Sequence, residues 1–153
     1  MDLLKNIDKS LLEDGKIFFN HRSDGGGGTS NHHQLHNPAA SGVIVRVLAL
    51  HIANGAASTN NIGYRNTALA GTLVQNMPNL LNAGPTSAID FRSQAGGFAT
   101  DAILDFVQIQ GTEVQRFDFS KYPLRLDEGQ GFLVQQLASA ALRTTFIWSE
   151  TSQ

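Results

Sequence analysis

The closing stretch of the chain, residues 121–150, restricts the fold more than any other part of the sequence. Its last run places Leu142, Thr144, Phe146 and Trp148 on one face and their neighbours on the other, which is the two-residue period of a strand. Two earlier apolar runs, residues 124–126 and 131–137, are also strand candidates. Glycine-rich and alanine-rich links separate the three runs. Three short strands joined by turns predict an antiparallel sheet protein.

The rest of the chain repeats this pattern of short strands and turns. The longest run, Val43–Ala53, is apolar on both faces, so we expect a central strand that is buried on both sides. Residues 103–110 and 112–120 predict a hairpin around Gly111. About eight to ten strands at this spacing predict an all-β fold, an antiparallel two-sheet β-sandwich of jelly-roll-like type with a short N-terminal helix or arm.

Two segments do not fit the sandwich pattern. Residues 1–14 form the predicted arm, in which Leu3, Leu4, Ile7 and Leu11 share one helical stripe. A helix this short needs a surface to pack on, either its own sandwich or a neighbouring subunit. Residues 15–153 form the predicted single domain, with a Gly/His-rich loop at 23–42. This loop contains four consecutive glycines and the histidines His32, His33 and His36.

Composition excludes several classes of protein. The 153 residues carry a net charge of −2 and no run of basic residues, so we expect no nucleic-acid partner. No cysteine is present, which excludes disulfides and thiolate metal sites. No apolar stretch approaches the ~18 residues of a membrane span, so we expect a soluble product, made in the cytoplasm, with no membrane partner.

The sequence has no catalytic signature. The histidines at 32, 33 and 36 are spaced closely enough to suggest a zinc or nickel site, but no nearby acidic residue or cysteine completes a ligand set. No histidine follows His51, so the strand pattern of cupin metalloenzymes is not met. Asp127 and Glu128 are adjacent and point to opposite faces of a strand. We therefore predict no enzyme activity, no cofactor and no metal, and expect the three histidines, like the leucine stripe, to contact a partner protein.

The C-terminal third resembles small tailed-phage virion proteins of the capsid decoration, or cement, type. The residues that carry the resemblance are FDFSKYPLRLDEGQGFLVQQ, at 117–136, and the closing TTFIWSE, at 144–150. The resemblance implies a jelly roll that assembles as a homotrimer on the capsid exterior of the virion. It also implies a non-enzymatic protein that binds the major capsid protein and clamps neighbouring coat subunits.

Two other functions remain open at the level of sequence. One is a receptor- or carbohydrate-binding module of a phage fibre or spike, which exposed aromatic residues on one sheet face would favour. The other is a cupin-like metalloenzyme, which the histidine count disfavours. A glycan array distinguishes the first from a decoration protein, and a metal assay distinguishes the second.

Overall fold

A computed structural model describes residues 16–79, 85–97, 100–111 and 113–153. The predicted N-terminal arm, with Leu3, Leu4, Ile7 and Leu11, lies outside the described residues. Within them the chain forms eleven strands: β1 Ile17–Asp24, β2 Asn31–His36, β3 Val43–Asn54, β4 Ser58–Tyr64, β5 Thr72–Val74, β6 Asp90–Ala95, β7 Ala102–Ile109, β8 Val114–Asp118, β9 Leu124–Leu126, β10 Gly131–Gln136 and β11 Leu142–Ser152.

The strands form two antiparallel sheets. Sheet A has the order β1-β11-β3, and β8 and β9 share the far edge of β3. Sheet B has the order β5-β6-β2-β10-β4-β7. β1 to β4 alternate between the sheets, and the late strands β11 and β10 each insert between two early ones. This is the Greek-key connectivity of a jelly roll, with β5 and β6 added beside β2. The predicted all-β, jelly-roll-like sandwich is confirmed.

The predicted central strand, β3, contains a β-bulge that explains its two apolar faces. Opposite Ile147 and Trp148 of β11, the register of β3 shifts from Ala49 to Val47, so that Leu48 is an extra residue. Before the bulge the odd-numbered residues enter the core, and after it the even-numbered residues do. The carbonyl oxygen of Leu48 accepts the amide of Phe119, 2.7 Å away, which satisfies the interrupted ladder.

The predicted hairpin around Gly111 is wrong. β7 pairs with β4 in sheet B, whereas β8 pairs with β3 in sheet A, so the connection crosses between the sheets. Alternation along each segment gives the same sequence pattern for a hairpin and for a crossing. Which one forms depends on where β3 and β4 offer a free edge, and that is a property of the whole fold.

The prediction of a continuous loop through residues 23–42 is also wrong. β1 extends to Asp24, and residues 31–36 form β2 in the middle of sheet B. The glycines lie in the short crossing between these strands. A Cβ atom at Gly26 would lie 3.0 Å from the carbonyl carbon of Ala140 and the amide nitrogen of Ala141, so the glycine allows two loops of the same chain to pack closely.

The core between the sheets is built around aromatic rings. Phe146 contacts Phe91 and Phe132 edge to face, at ring-centroid distances of 5.7 and 6.2 Å, and Phe18 stacks on Trp148 at 6.1 Å. The predicted burial of Phe132, Val134, Phe146 and Trp148 is confirmed, since all four have no exposed surface.

Candidate functional site

The three clustered histidines lie on β2, between β6 and β10 of sheet B. His33 and Leu35 point into the core, so the alternating residues His32, Gln34 and His36 lie on the outer face of the sheet. All six residues of β2 are nevertheless buried. The outer face must therefore be covered, and the contacts of Gln34 and His36 show what covers it.

The covering element is the connection between β4 and β5, residues 65–71, which we call the 65–71 loop. Gln34 donates from Nε2 to the carbonyl oxygens of Arg65 (2.7 Å) and Thr67 (3.1 Å). Its Oε1 accepts the amide of Leu69 at 2.8 Å. One buried side-chain amide thus makes three hydrogen bonds to the backbone of a segment that forms no strand of its own.

Three further side chains fasten the same loop. His36 Nε2 donates to the carbonyl oxygen of Asn66 (3.1 Å), and Arg92 donates to that of Leu69 (3.0 Å). Gln94 accepts the amide of Ala70 at 3.0 Å. Burial lowers the pKa of His36, because the neutral imidazole tolerates the loss of water better than the cation does. The polar outer face of β2 and β6 is therefore an internal contact of this chain.

His33 faces the other way, between the sheets, and both of its ring nitrogens have partners. Nε2 lies 2.9 Å from Oδ2 of Asp24, and Nδ1 lies 2.7 Å from the hydroxyl of Thr144 on β11. A carboxylate only accepts, so Nε2 carries the proton and Nδ1 accepts from Thr144. Burial lowers the pKa of His33, and its hydrogen bond holds the pKa of Asp24 well below the usual range.

Asp24, His33 and Thr144 have the chemistry of an acid, a base and a hydroxyl nucleophile in sequence. The geometry does not support that role, because the Thr144 hydroxyl lies between the sheets and the residue is 1% exposed. No substrate carbonyl can approach it without opening the sandwich. The linkage joins β1, β2 and β11, and therefore ties the two sheets together.

The carboxylate of Asp24 also reaches an open polar cleft between β1 and the β5–β6 side of sheet B. We call this the polar cleft; its volume is about 330 Å³, and it is lined by Arg22, Asp24, Gly25, Asn31, Gly71, Thr72, Ser93, Gln94 and Ala95. Arg22 donates from Nε to Oδ1 of Asp24 at 2.8 Å, and its Nη2 lies 2.6 Å from the same oxygen. Oδ2 of Asp24 accepts the hydrogen bond from Nε2 of His33. The only two opposite charges in this lining are thus already paired.

The opposite edge of the sandwich is apolar. A cleft of about 300 Å³, which we call the apolar cleft, opens between β7 and the strands β8 and β9; it is lined by Ile62, Leu104, Asp105, Phe117, Phe119 and Leu124. Beside it Ile103, Leu104 and Phe106 of β7 project from the surface, and Phe106 is 65% exposed. β7 ends sheet B among the described residues.

β7 carries two features that discourage another strand from pairing with it. Its register against β4 shifts between Ile62 and Gly63, which leaves Leu104 as a bulge residue. The carboxylate of Asp105 accepts the amide of Phe106 at 2.8 Å. Bulges and charges of this kind protect sheet edges from strand addition. The exposed apolar side chains of β7 thus remain available for contact, while its backbone is partly blocked.

The sequence-predicted site residues have mixed outcomes. Leu3, Leu4, Ile7 and Leu11 lie outside the described residues, and their partner contact remains a prediction. The histidines are brought together on one strand, but His33 points away from His32 and His36. Gln34, Asp24 and Phe106 were missed by sequence reasoning. The alternation of His33 and Leu35 with polar neighbours was the available signal for a strand.

The described ranges hold neither a metal-ligand cluster nor a membrane-spanning helix. In them, no three histidine, cysteine or acidic side chains are grouped closely enough to hold a metal ion. Across the same ranges there is no helix with the length and apolar character needed to cross a membrane.

Comparison with known proteins gave no match. No protein-family model matches the chain, and no curated protein or solved structure is significantly similar to it.

Proposed function

We propose that this jelly roll is a capsid decoration protein, which binds the outer surface of a viral capsid and clamps neighbouring coat subunits. The observation that carries the proposal is the exposed apolar edge formed by β7 and the apolar cleft. A chain that leaves Phe106 at 65% exposure beside Ile103 and Leu104 presents the kind of patch that marks a protein contact.

The chemistry of the edge favours docking by side chains. The bulge at Leu104 and the hydrogen bond from the Phe106 amide to Asp105 disfavour an added strand. The apolar cleft instead offers a pocket for an apolar side chain of the partner, with the stacked rings of Phe117 and Phe119 as one wall, 6.2 Å apart. We assign this edge to the major capsid protein.

The polar groups support a role without catalysis. The described histidines on β2 and the carboxylate of Asp24 are engaged in hydrogen bonds that hold strands and loops together. The one linkage with the order of a catalytic triad ends at a buried hydroxyl. Polar side chains that are used in structural hydrogen bonds are consistent with a structural role on a viral particle.

The proposal includes a homotrimer, which the resemblance of the C-terminal third implies and which is one of the closed symmetries that soluble oligomers adopt. Sedimentation equilibrium of the purified chain at micromolar concentration tests it, with a trimer expected. A single monomeric species, both free and in a particle, would contradict this part of the proposal.

Capsid binding is tested by producing the chain together with the coat protein of its own virus and locating it on purified particles by cryo-electron microscopy. We expect density on the capsid exterior, with β7 facing the coat. The double variant Leu104→Ser/Phe106→Ser should lose occupancy and keep its oligomeric state. Leu73→Ser, an exposed leucine on the opposite edge strand β5, is the matched control.

Two results would overturn the assignment of the edge. Full occupancy of the double variant would show that β7 does not contact the coat. A double variant that turns monomeric would show that the apolar edge joins copies of this chain to each other.

A further inference from the structure

A second, chemically different surface lies at the other edge of the sandwich, in the polar cleft. Five polar side chains from β1, β2, β5 and β6 line it: Arg22, Asp24, Asn31, Thr72 and Ser93. From this geometry we infer that the polar cleft binds a neutral saccharide. Such a site is separate from β7, so it would act whether or not the apolar edge binds a capsid.

Charge selects the class of ligand. Arg22 and Asp24 neutralise each other through two contacts to one carboxylate oxygen, at 2.8 and 2.6 Å. A phosphate or a carboxylate ligand would have to compete with Asp24 for the guanidinium, and a cation would have to compete with Arg22 for the carboxylate. A neutral ligand leaves the pair intact and uses the hydrogen-bonding capacity that remains.

That remaining capacity suits hydroxyl groups, which both donate and accept. Two of the five N–H groups of Arg22 point to Asp24, which leaves three as donors. The Thr72 and Ser93 hydroxyls make no hydrogen bond within the described residues. Ionised Asp24 retains a free lone pair as an acceptor. A saccharide can meet donors and acceptors of this kind with neighbouring hydroxyls.

The site is rigid where it needs to be. Asp24 is fixed from behind by the buried ring of His33, at 2.9 Å, so its carboxylate does not have to be ordered when a ligand arrives. Asn31 is fixed by donating to the carbonyl oxygens of Gly25 and Ala140, each at 3.0 Å. Binding energy is therefore not spent on arranging these two side chains.

Gly25 provides a way to block the cleft while leaving its hydrogen bonds in place. A Cβ atom there would meet no atom within 4 Å, and its φ is not in the left-handed region, so a side chain is tolerated and fills space at the cleft. Gly27 has the same open surroundings and backbone but does not line the cleft. Gly25→Gln and Gly27→Gln thus form a matched pair of blocking and control variants.

Asp24 has a matched control as well. Arg125 of β9 and Asp127 just after it repeat the Arg-x-Asp pair with exposed side chains, with Nη2 2.7 Å from Oδ1, and lie outside the cleft. Asp24→Asn removes an ionised acceptor from the cleft, whereas Asp127→Asn removes one from the open surface.

The test is saturation-transfer-difference NMR on the full chain with glucose, galactose, mannose and N-acetylglucosamine, followed by titration of any sugar that gives a signal. Inorganic phosphate, which has no carbon-bound proton to observe, and the zwitterion glycine are tested as charged competitors of the sugar. We expect at least one sugar to bind, with affinity reduced about tenfold or more by Asp24→Asn and by Gly25→Gln. Asp127→Asn and Gly27→Gln should leave it unchanged.

Several results would overturn the inference. One is the absence of a signal from all four sugars at millimolar concentration. Another is stronger binding of phosphate or glycine than of any sugar, which would assign the cleft to a charged ligand. Equal binding by Gly25→Gln and Gly27→Gln would place the sugar elsewhere. If Asp24→Asn fails to fold, the glycine pair still tests sugar binding, because a Cβ atom at either glycine meets no atom within 4 Å and should not disturb the fold.

Discussion

Two strands of the same sheet reverse the usual relation between polarity and burial. β2 reads NHHQLH and is buried along its whole length, whereas β7 reads AILDFVQI and is exposed over its first five residues. β2 lies between two strands and under the 65–71 loop, and β7 ends the sheet. Position in the sheet decides which strand is buried here, and hydrogen bonds offset the loss of hydration of the buried polar groups.

The difference teaches where each strand directs its interactions. On β2, Gln34, His33 and His36 are bonded to elements far away in sequence, so its polar side chains hold the fold together. On β7, Phe106 and Leu104 are 65% and 49% exposed and contribute little to the core, so they are free to make the external contact proposed above. Acid and substitutions on β2 should therefore lower the stability of the fold. Substitutions of the exposed residues of β7 should instead weaken association and leave stability nearly unchanged.

Acidification should have the largest effect on stability, because several histidines contribute together. Burial lowers the pKa of His32 to about 4 from 6.5, and it also lowers those of His33, His36 and His51. The unfolded chain therefore binds more protons below pH 6.5 than the folded chain does, and the free energy of unfolding falls as the pH falls through that range. The contribution of these neutral histidines to stability is fully present above the pKa that histidine has in the unfolded chain, 6.5.

Urea denaturation at a series of pH values measures this loss. The groups around His36 are Arg92, which opposes its protonation, and Asp90, which favours it. His36→Gln should make the pH dependence shallower by the share of one histidine. A free energy of unfolding that stays constant from about pH 7 to pH 4.5 would contradict the neutral, buried state of these rings.

The largest effect of a single substitution is expected at His33. His33→Ala removes a buried ring and leaves Asp24 and Thr144 without their shared partner, which should lower the free energy of unfolding by about 3 kcal/mol. His21→Ala is the matched control, because His21 also binds a threonine, Thr145, at 3.0 Å, but is exposed. Equal losses for the two variants in urea denaturation would mean that the interior linkage adds nothing.

Gln34→Ala comes next, with an expected loss of about 2 kcal/mol from three hydrogen bonds to the 65–71 loop. The effect should be local as well as global. Hydrogen exchange at the Leu69 amide should accelerate in the variant, because that amide is bonded to Gln34. Gln108→Ala on the exposed side of β7 is the control and should change neither quantity. Unchanged protection of Leu69 would show that the loop is held by other contacts.

The sequence predicted the apolar framework better than the polar one. The alternation of Phe146 and Trp148 with their neighbours is a local signal, and both residues lie in the core as it predicts. Val43–Ala53 was correctly predicted as central, but its two apolar faces arise from the bulge at Leu48, which no local pattern reveals. Apolar periodicity reports which face is buried, and it does not report where a register shifts.

The candidate sites were largely unpredictable for a physical reason. Gln34 acts on residues 65–69, and His33 joins Asp24 to Thr144, 111 residues away from the histidine. Such partners are set by the jelly-roll connectivity, and the polarity of β2 favoured a loop prediction until that connectivity was known. The exposure of Phe106 is likewise invisible in a sequence that alternates as a buried strand would.

Phe106→Ser should have the smallest effect on stability, a change in the free energy of unfolding of less than about 0.5 kcal/mol, because the ring is mostly in solvent. Ile109→Ser, on the same strand but fully buried, should cost about 3 kcal/mol, since it removes apolar contacts and buries a hydroxyl. Association should show the reverse order. When only folded protein is compared, Phe106→Ser should weaken binding to the coat and Ile109→Ser should not. Co-sedimentation with capsids measures this binding. If Phe106→Ser destabilises the chain as much as Ile109→Ser does, the ring belongs to the fold, and β7 is a poorly covered core strand instead of a docking edge.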